Sequence, residues 1–141
     1  MNNFTVDILT PNKVVAKDIP AENVFIPTLK GQIEVMKDHT HIVEKLDTGL
    51  ITVIGSGDEA NRYFTVTTGI CKVLAGKVQI LSNTSEESFE LDLERAEHAL
   101  KDAQGKLANT TLSDEEIVKY QRKVERAKLR IHCAKLNAAR K

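Results

Sequence analysis

Apolar and polar positions alternate in short runs through the first part of the chain, then change period abruptly. Phe4, Val6 and Ile8 alternate with Thr5 and Asp7, as in a half-buried strand. Thr10-Pro11-Asn12 reads as a turn and residues 14–17 as a second strand, broken at Ile19-Pro20-Ala21-Glu22. Residues 24–26 start another run, which Pro27 ends or places at a sheet edge, because proline has no N–H for a ladder. Residues 31–36 and 42–43 follow, separated by a polar loop at 37–41. Residues 50–54 and 62–67 flank Gly55-Ser56-Gly57-Asp58, and residues 70–74 and 78–81 flank Ala75-Gly76-Lys77. Both are hairpin signals. Such spacing predicts an antiparallel β-sandwich of about 8–10 short strands.

Beyond a polar, acidic junction the period becomes helical. Leu93, Ala96, Leu100, Ala103 and Leu107 repeat at alternating steps of three and four, as do Ile117, Tyr120, Val124, Ala127, Ile131, Ala134 and Ala138. Both are narrow heptad seams. Residues 109–112 form the turn, and Ser113 with Glu116 makes a capping box for the second helix. The fold class is therefore α+β: a sandwich over residues 1–83, a hinge at 84–90, and an antiparallel two-helix hairpin at 91–141. Helix one is expected at about 91–108 and helix two at about 114–139. The seams are rich in alanine, so they bury less apolar area than leucine seams and make the hairpin marginal alone. Gly105 weakens helix one further.

Composition narrows the function classes. The chain is 41% apolar and 28% charged, ordinary values for a globular protein, and its length suits one modest domain or a small domain with an appendage. It has no Trp and 4% aromatics, which argues against a base- or sugar-stacking platform. Cys71 and Cys133 fall one in each half without metal-like or redox spacing, so a reducing compartment is expected. Residues 1–9 lack the basic start and apolar core of a signal peptide. No apolar run approaches the roughly 20 residues of a membrane span. The formal net charge of zero hides an axis: residues 84–102 carry seven acids against two bases, and residues 117–141 nine bases against one acid.

Little of this is catalytic chemistry. His39 and His41 form an H-x-H pair with only Asp38 nearby, which reads as a surface or interface loop rather than a metal site. No nucleophile triad, phosphate loop or dinucleotide fingerprint is visible. Glu90, Asp92 and Glu94 open a helix, where acids complement the dipole. The basic second helix is a solvated face, a nucleic-acid contact or a surface for an acidic protein; its sustained seam favours helix docking.

The order of these parts resembles the epsilon subunit of the F-type ATP synthase over essentially the whole chain. Val6-Asp7-Ile8-Leu9-Thr10-Pro11 is similar to that family's opening strand and turn. Residues 31–41 resemble its G-E-x-G-[VIL]-L-P-G-H-A-P loop at Gly31, Val35 and His39, while Glu34, Lys37 and His41 replace the usual Gly, Pro and Pro. Thr68-Gly69-Ile70-Cys71-Lys72-Val73 and Lys77-Val78-Gln79-Ile80-Leu81 resemble two later strands. Leu91-Asp92-Leu93-Glu94-Arg95-Ala96 matches the [IL]-D-x-x-R-A motif that opens helix one.

The resemblance implies a non-catalytic rotor subunit of a bacterial-type, proton-translocating ATP synthase, peripheral on the cytoplasmic face of the inner membrane. The sandwich would bind the gamma subunit and the membrane c-ring, with Gly31, Val35 and His39 in the contact loop. The hairpin would extend toward the catalytic beta and alpha subunits and inhibit ATP hydrolysis, with Arg122, Lys123, Arg126 and Arg130 meeting acidic helices. Asp92, Arg95 and Ala96 carry the motif that in some members binds regulatory ATP. Where arginines complete that site, Asp102, Cys133 and Asn137 stand here, so weak ATP binding or none is expected, and no other cofactor. A stand-alone sandwich adaptor whose basic helix binds nucleic acid or another polyanion is the alternative.

Overall fold

The structure, a computed structural model, describes residues 4–36, 41–109 and 111–139, with side chains through residue 136. The described residues hold ten strands: β1 (Thr5–Leu9), β2 (Val14–Pro20), β3 (Asn23–Thr28), β4 (Gly31–Met36), β5 (Ile42–Leu46), β6 (Gly49–Ile54), β7 (Arg62–Val66), β8 (Gly69–Leu74), β9 (Lys77–Ser82) and β10 (Ser85–Glu87). A 3-10 turn (Ser88–Glu90) leads to α1 (Leu93–Leu107) and α2 (Asp114–Ala139). The chain divides at Glu87/Ser88 into two compact units.

The strands follow one hydrogen-bonded path, β10-β7-β6-β3-β5-β8-β9-β1-β2, with β4 also on β3. The path bends at β3. There β6 pairs with Asn23, Val24 and Phe25, while β5 takes over at Thr28, opposite Leu46. That single pair joins two groups of strands into the layers of a sandwich. Inward-facing Val6, Ile8, Val24, Ile26, Ile51, Phe64, Val73 and Ile80 are essentially sealed from solvent. Each contributes roughly 1.5–3 kcal/mol of burial. All pairs are antiparallel except β1 with β9, which lie parallel.

Two strands outrun the sequence expectation, each for a local reason. β2 continues through Ile19 and Pro20 because Asp18 adopts a left-handed φ of 53° and absorbs the irregularity as a bulge. Ile19 is thereby returned to the core, and Pro20 sits on the last strand of the path, where a missing N–H costs little. β3 runs through Pro27 because that residue falls between the last β6 partner and the β5 partner, where no ladder donor is required.

The segment expected as a hinge at 84–90 is also partly ordered as sandwich. Residues 85–87 form β10, antiparallel to β7. Its sequence, Ser-Glu-Glu, carries no apolar signal; an ion pair described below holds it.

In the second unit both helices keep the expected seams as far as side chains are described; the side chain of Ala138 lies outside the described residues. Ala96, Ala103, Ala127 and Ala134 are buried, while Leu93, Leu100, Leu107, Ile117, Tyr120, Val124 and Ile131 are half-buried. The large side chains are thus only partly covered. A second stripe, Leu129, Cys133 and Leu136, is shielded beside the α2 seam. α1 is slightly shorter than expected because Asp92 is its cap, accepting the Arg95 amide at 3.2 Å. The Ser113–Glu116 capping box forms as expected: Ser113 Oγ accepts the Glu116 amide at 3.2 Å, and Glu116 Oε1 accepts the Ser113 amide at 3.3 Å.

Candidate functional site

The expected contact loop is only partly described. Gly31 opens β4 with φ 109°, a conformation that strains any side chain, and nothing lies within 4 Å of where a Cβ would stand. The β3–β4 turn before it exposes Leu29 and Lys30. Thr28 ties that turn, its hydroxyl donating to the Gly31 carbonyl at 2.6 Å. Val35 is fully buried opposite Val24, so its side chain faces the core rather than a partner. His39 lies outside the described residues.

The outer face of the β5-β8-β9-β1-β2 layer carries a feature that the sequence reading missed. Ile70 pairs with Leu81, Leu81 with Leu9, and Leu9 with Val14, placing four apolar side chains in one row across four strands. Ile70, Leu81 and Val14 are exposed. Beside the row lies a depression of about 500 Å³ lined by residues that include Leu9, Pro11, Gly69, Leu81 and Asn83. Gly69 permits the tight β8–β9 approach: a Cβ there would stand 2.0 Å from the Leu81 carbonyl oxygen. The signal was available as parity. Leu9, Ile70 and Leu81 occupy the face that Asp7, Lys72 and Gln79 mark as outward.

Two ion-pair groups lock the edges of the sandwich. Asp7 Oδ1 accepts the Asp18 amide at 2.8 Å, and Lys77 Nζ reaches Asp7 Oδ2 at 3.2 Å and Asp18 Oδ1 at 2.8 Å. Lys77 holds the Asp18 carboxyl below its ordinary range, and the two acids, Asp18 foremost, raise Lys77. At the other end of the path, Arg62 grips Glu87 through Nη2 and Nε of its guanidinium, at 2.6 and 2.7 Å, and lies over the Phe64 ring. Hydrogen bonding to Glu87 raises Arg62. Cys71 is buried, and desolvation pushes its thiol up to about 12.

The motif residues at the start of α1 take separate roles. Asp92 caps the helix, Arg95 is exposed, and Ala96 is buried on the seam. Asp92 and Arg95 border a depression of about 510 Å³ with Glu94, Glu97, His98 and Lys101. Its wall mixes three carboxylates with an arginine, a lysine and a histidine. Asp102 is exposed and Cys133 buried, and the side chain of Asn137 lies outside the described residues.

On α2, Arg122, Lys123, Arg126 and Arg130 are all exposed. Lys119 and Lys123 lie 5.6 and 5.4 Å from the Tyr120 ring centre. This is a continuous basic ridge beside the seam. Among the described residues no group of three His, Cys, Asp or Glu side chains is placed to hold a metal ion.

Comparison with known proteins matches both units. Residues 3–88 fit the family model of the ATP synthase delta/epsilon chain β-sandwich domain, and residues 90–135 that of its long α-helix domain. The chain is 35% identical over 136 residues to the ATP synthase epsilon chain of Staphylococcus aureus, covering 96% of this chain and 99% of that one. It shares its fold with a chain in the Euglena gracilis mitochondrial ATP synthase OSCP/F1/c-ring assembly, with TM-score 0.71 and 19% identity over 100% of this chain and 83% of that one. A second likeness, to a chain of the Tetrahymena thermophila mitochondrial ATP synthase central stalk and c-ring, has TM-score 0.55 and 16% identity over 89% and 90% of the two chains. With both units matched in order and the whole length covered by such relatives, this chain belongs to the ATP synthase delta/epsilon family, as a non-catalytic chain of the epsilon type.

Proposed function

We propose that this chain is the rotor subunit that joins the gamma shaft to the membrane c-ring of a proton-translocating ATP synthase, and that its hairpin restrains ATP hydrolysis. One observation carries the division of labour. The sandwich and helical family models meet at residues 88 and 90, where the structure also divides. The sandwich is a rigid, tightly packed body that offers the Ile70-Leu81-Leu9-Val14 row to a protein partner, which we assign to the shaft. The exposed β3–β4 turn at Leu29 and Lys30 is assigned to the c-ring, together with His39, which lies outside the described residues. No described helix is long and apolar enough to cross a membrane, so attachment runs through the complex, on the cytoplasmic face in a bacterium.

The hairpin supplies the regulation. Its alanine seam leaves large side chains half-covered, which favours exchange for another helix partner. Arg122, Lys123, Arg126 and Arg130 fit an acidic surface of the catalytic beta and alpha subunits. The use of Asp92 as the helix cap and the mixed wall beside it support weak ATP binding or none. The family assignment leaves the free-standing polyanion-binding adaptor without support. The test is truncation after Glu90: ATPase activity of the assembled complex rises while assembly stays intact. Unchanged activity in a fully assembled truncated complex refutes the inhibitory hairpin.

A further inference from the structure

β10 is unusual among these strands. It is three residues long, lies at the end of the sheet path with β7 as its only path neighbour, and brings no apolar side chain. Its docking is also imperfect: Ser85 Oγ is buried with no hydrogen-bond partner among the described residues. Ser88 Oγ, just beyond the strand, is in the same position. Buried hydroxyls without partners oppose the docked state.

Two features set the limits of any motion here. Upstream, the chain is pinned by side-chain hydroxyls. Ser82 Oγ accepts the Thr67 amide at 3.0 Å and donates to the Thr84 carbonyl at 2.6 Å. Thr67 Oγ1 accepts the Thr84 amide at 3.1 Å, and the Asn83 amide donates to the Thr68 carbonyl at 2.9 Å. Downstream of that pin, the strongest side-chain anchor is the Arg62–Glu87 pair. Glu87 is nearly sealed, whereas about a third of Arg62 remains open to water. Besides its ladder with β7, β10 is thus held by the Thr65 hydroxyl, which accepts the Glu86 amide at 3.1 Å, and by one charge pair that solvent can reach from one side.

We propose that β10 is a releasable strap: it unzips from β7 as far as Thr84, which stays pinned, and thereby lengthens the link between the sandwich and α1. Freeing these three residues adds roughly 10 Å of extended chain to that link. A short link restricts where the hairpin can reach, and a long one relaxes the restriction. The bearing on ATP hydrolysis rests on the proposed function; the release itself does not.

Hydrogen–deuterium exchange on the full chain tests it. The β10 amides exchange on the order of tenfold or more faster than those of β6, through local opening. Glu87→Gln speeds β10 by a further factor of about ten and leaves β6 unchanged. A Thr65→Cys/Glu86→Cys clamp, built on a paired register position, slows β10 when oxidised and frees it when reduced. This arm carries the test if Glu87→Gln does not fold. Exchange of β10 in step with β6, in wild type and in the reduced clamp alike, overturns the strap. So does a Glu87→Gln chain that accelerates both strands equally. Neither result depends on the ATPase readout, so a failed strap and a failed inhibitory hairpin are told apart.

Discussion

Replacing Asp7 by alanine removes a carboxylate that is only 6% exposed yet serves two partners. The Asp18 amide loses its acceptor at the one point where β2 bulges through a left-handed non-glycine residue. Lys77 keeps only its solvent-exposed contact with Asp18. A hydrogen bond to a charged, shielded acceptor is worth about 1.5–3 kcal/mol. The Lys77 contact adds little, because its ammonium is substantially hydrated. The expected loss is about 1.5–3 kcal/mol. Asp7→Asn keeps an oxygen for the Asp18 amide and gives up only the charge, so it costs about 1 kcal/mol. In a domain of this size each kcal/mol moves the melting point by roughly 4–8 °C, so Asp7→Ala falls by roughly 6–24 °C. Thermal unfolding followed by tyrosine fluorescence in a Tyr120→Phe background reads this from Tyr63, within the sandwich. If Asp7→Ala and Asp7→Asn melt together, or Asp7→Ala stays within about 4 °C of wild type, the clasp does not hold the bulge.

Four further outcomes are expected. Converting Arg122, Lys123, Arg126 and Arg130 to alanine weakens inhibition of the assembled ATPase more at low than at high salt; equal weakening at both salts would point to packing instead. Lys77→Met flattens the pH dependence of stability at both extremes. The lowered Asp18 contributes stability above its ordinary value of 3.8 that is lost as pH falls through its folded value, and the raised Lys77 contributes below 10.5 what is lost as pH rises through its folded value. An unaltered acid limb in the variant would refute the coupling. Cys71, with its thiol pushed up to about 12 inside the core, resists alkylation at pH 8 until the sandwich unfolds; prompt labelling of the native chain contradicts this. Calorimetry detects no tight ATP binding, whereas tight binding abolished by Asp92→Ala would restore a nucleotide role for α1.

The legible parts of the chain were those where a single local period decides the outcome. The α1 and α2 seams and the Ser113–Glu116 box are local, and they formed as the spacing required. β10 was illegible because Ser85, Glu86 and Glu87 carry no alternation; its partner Arg62 lies far back in the sequence and only the sheet brings them together. The prolines misled for a related reason. Pro20 and Pro27 break ladders in general, but here one sits on the last strand and the other at a change of neighbour, and neither place is visible locally. Of the candidate site, the basic ridge was readable as charge. The apolar row was readable only as a violation of parity, since it becomes a row when β8, β9, β1 and β2 are laid side by side. Val35 matched a loop motif but faces the core, because the strand it belongs to alternates inward at that position.

The parallel pairing of β1 with β9 sets the order in which the molecule can be built. Val6 and Ile8 pair early with β2 but must wait for Val78 and Ile80 on the other side, so β1 is completed only when β9 arrives. Such long-range closure makes folding slow relative to a chain of consecutive hairpins. The sandwich can close only as the helical segment is leaving the ribosome, and until then the edges of β1 and β9 are open to wrong partners. The two ends of the chain are therefore unequal. Trimming the rear removes helices from a finished sandwich, whereas trimming even the first nine residues leaves β9 and β2 facing a gap that no other strand can fill.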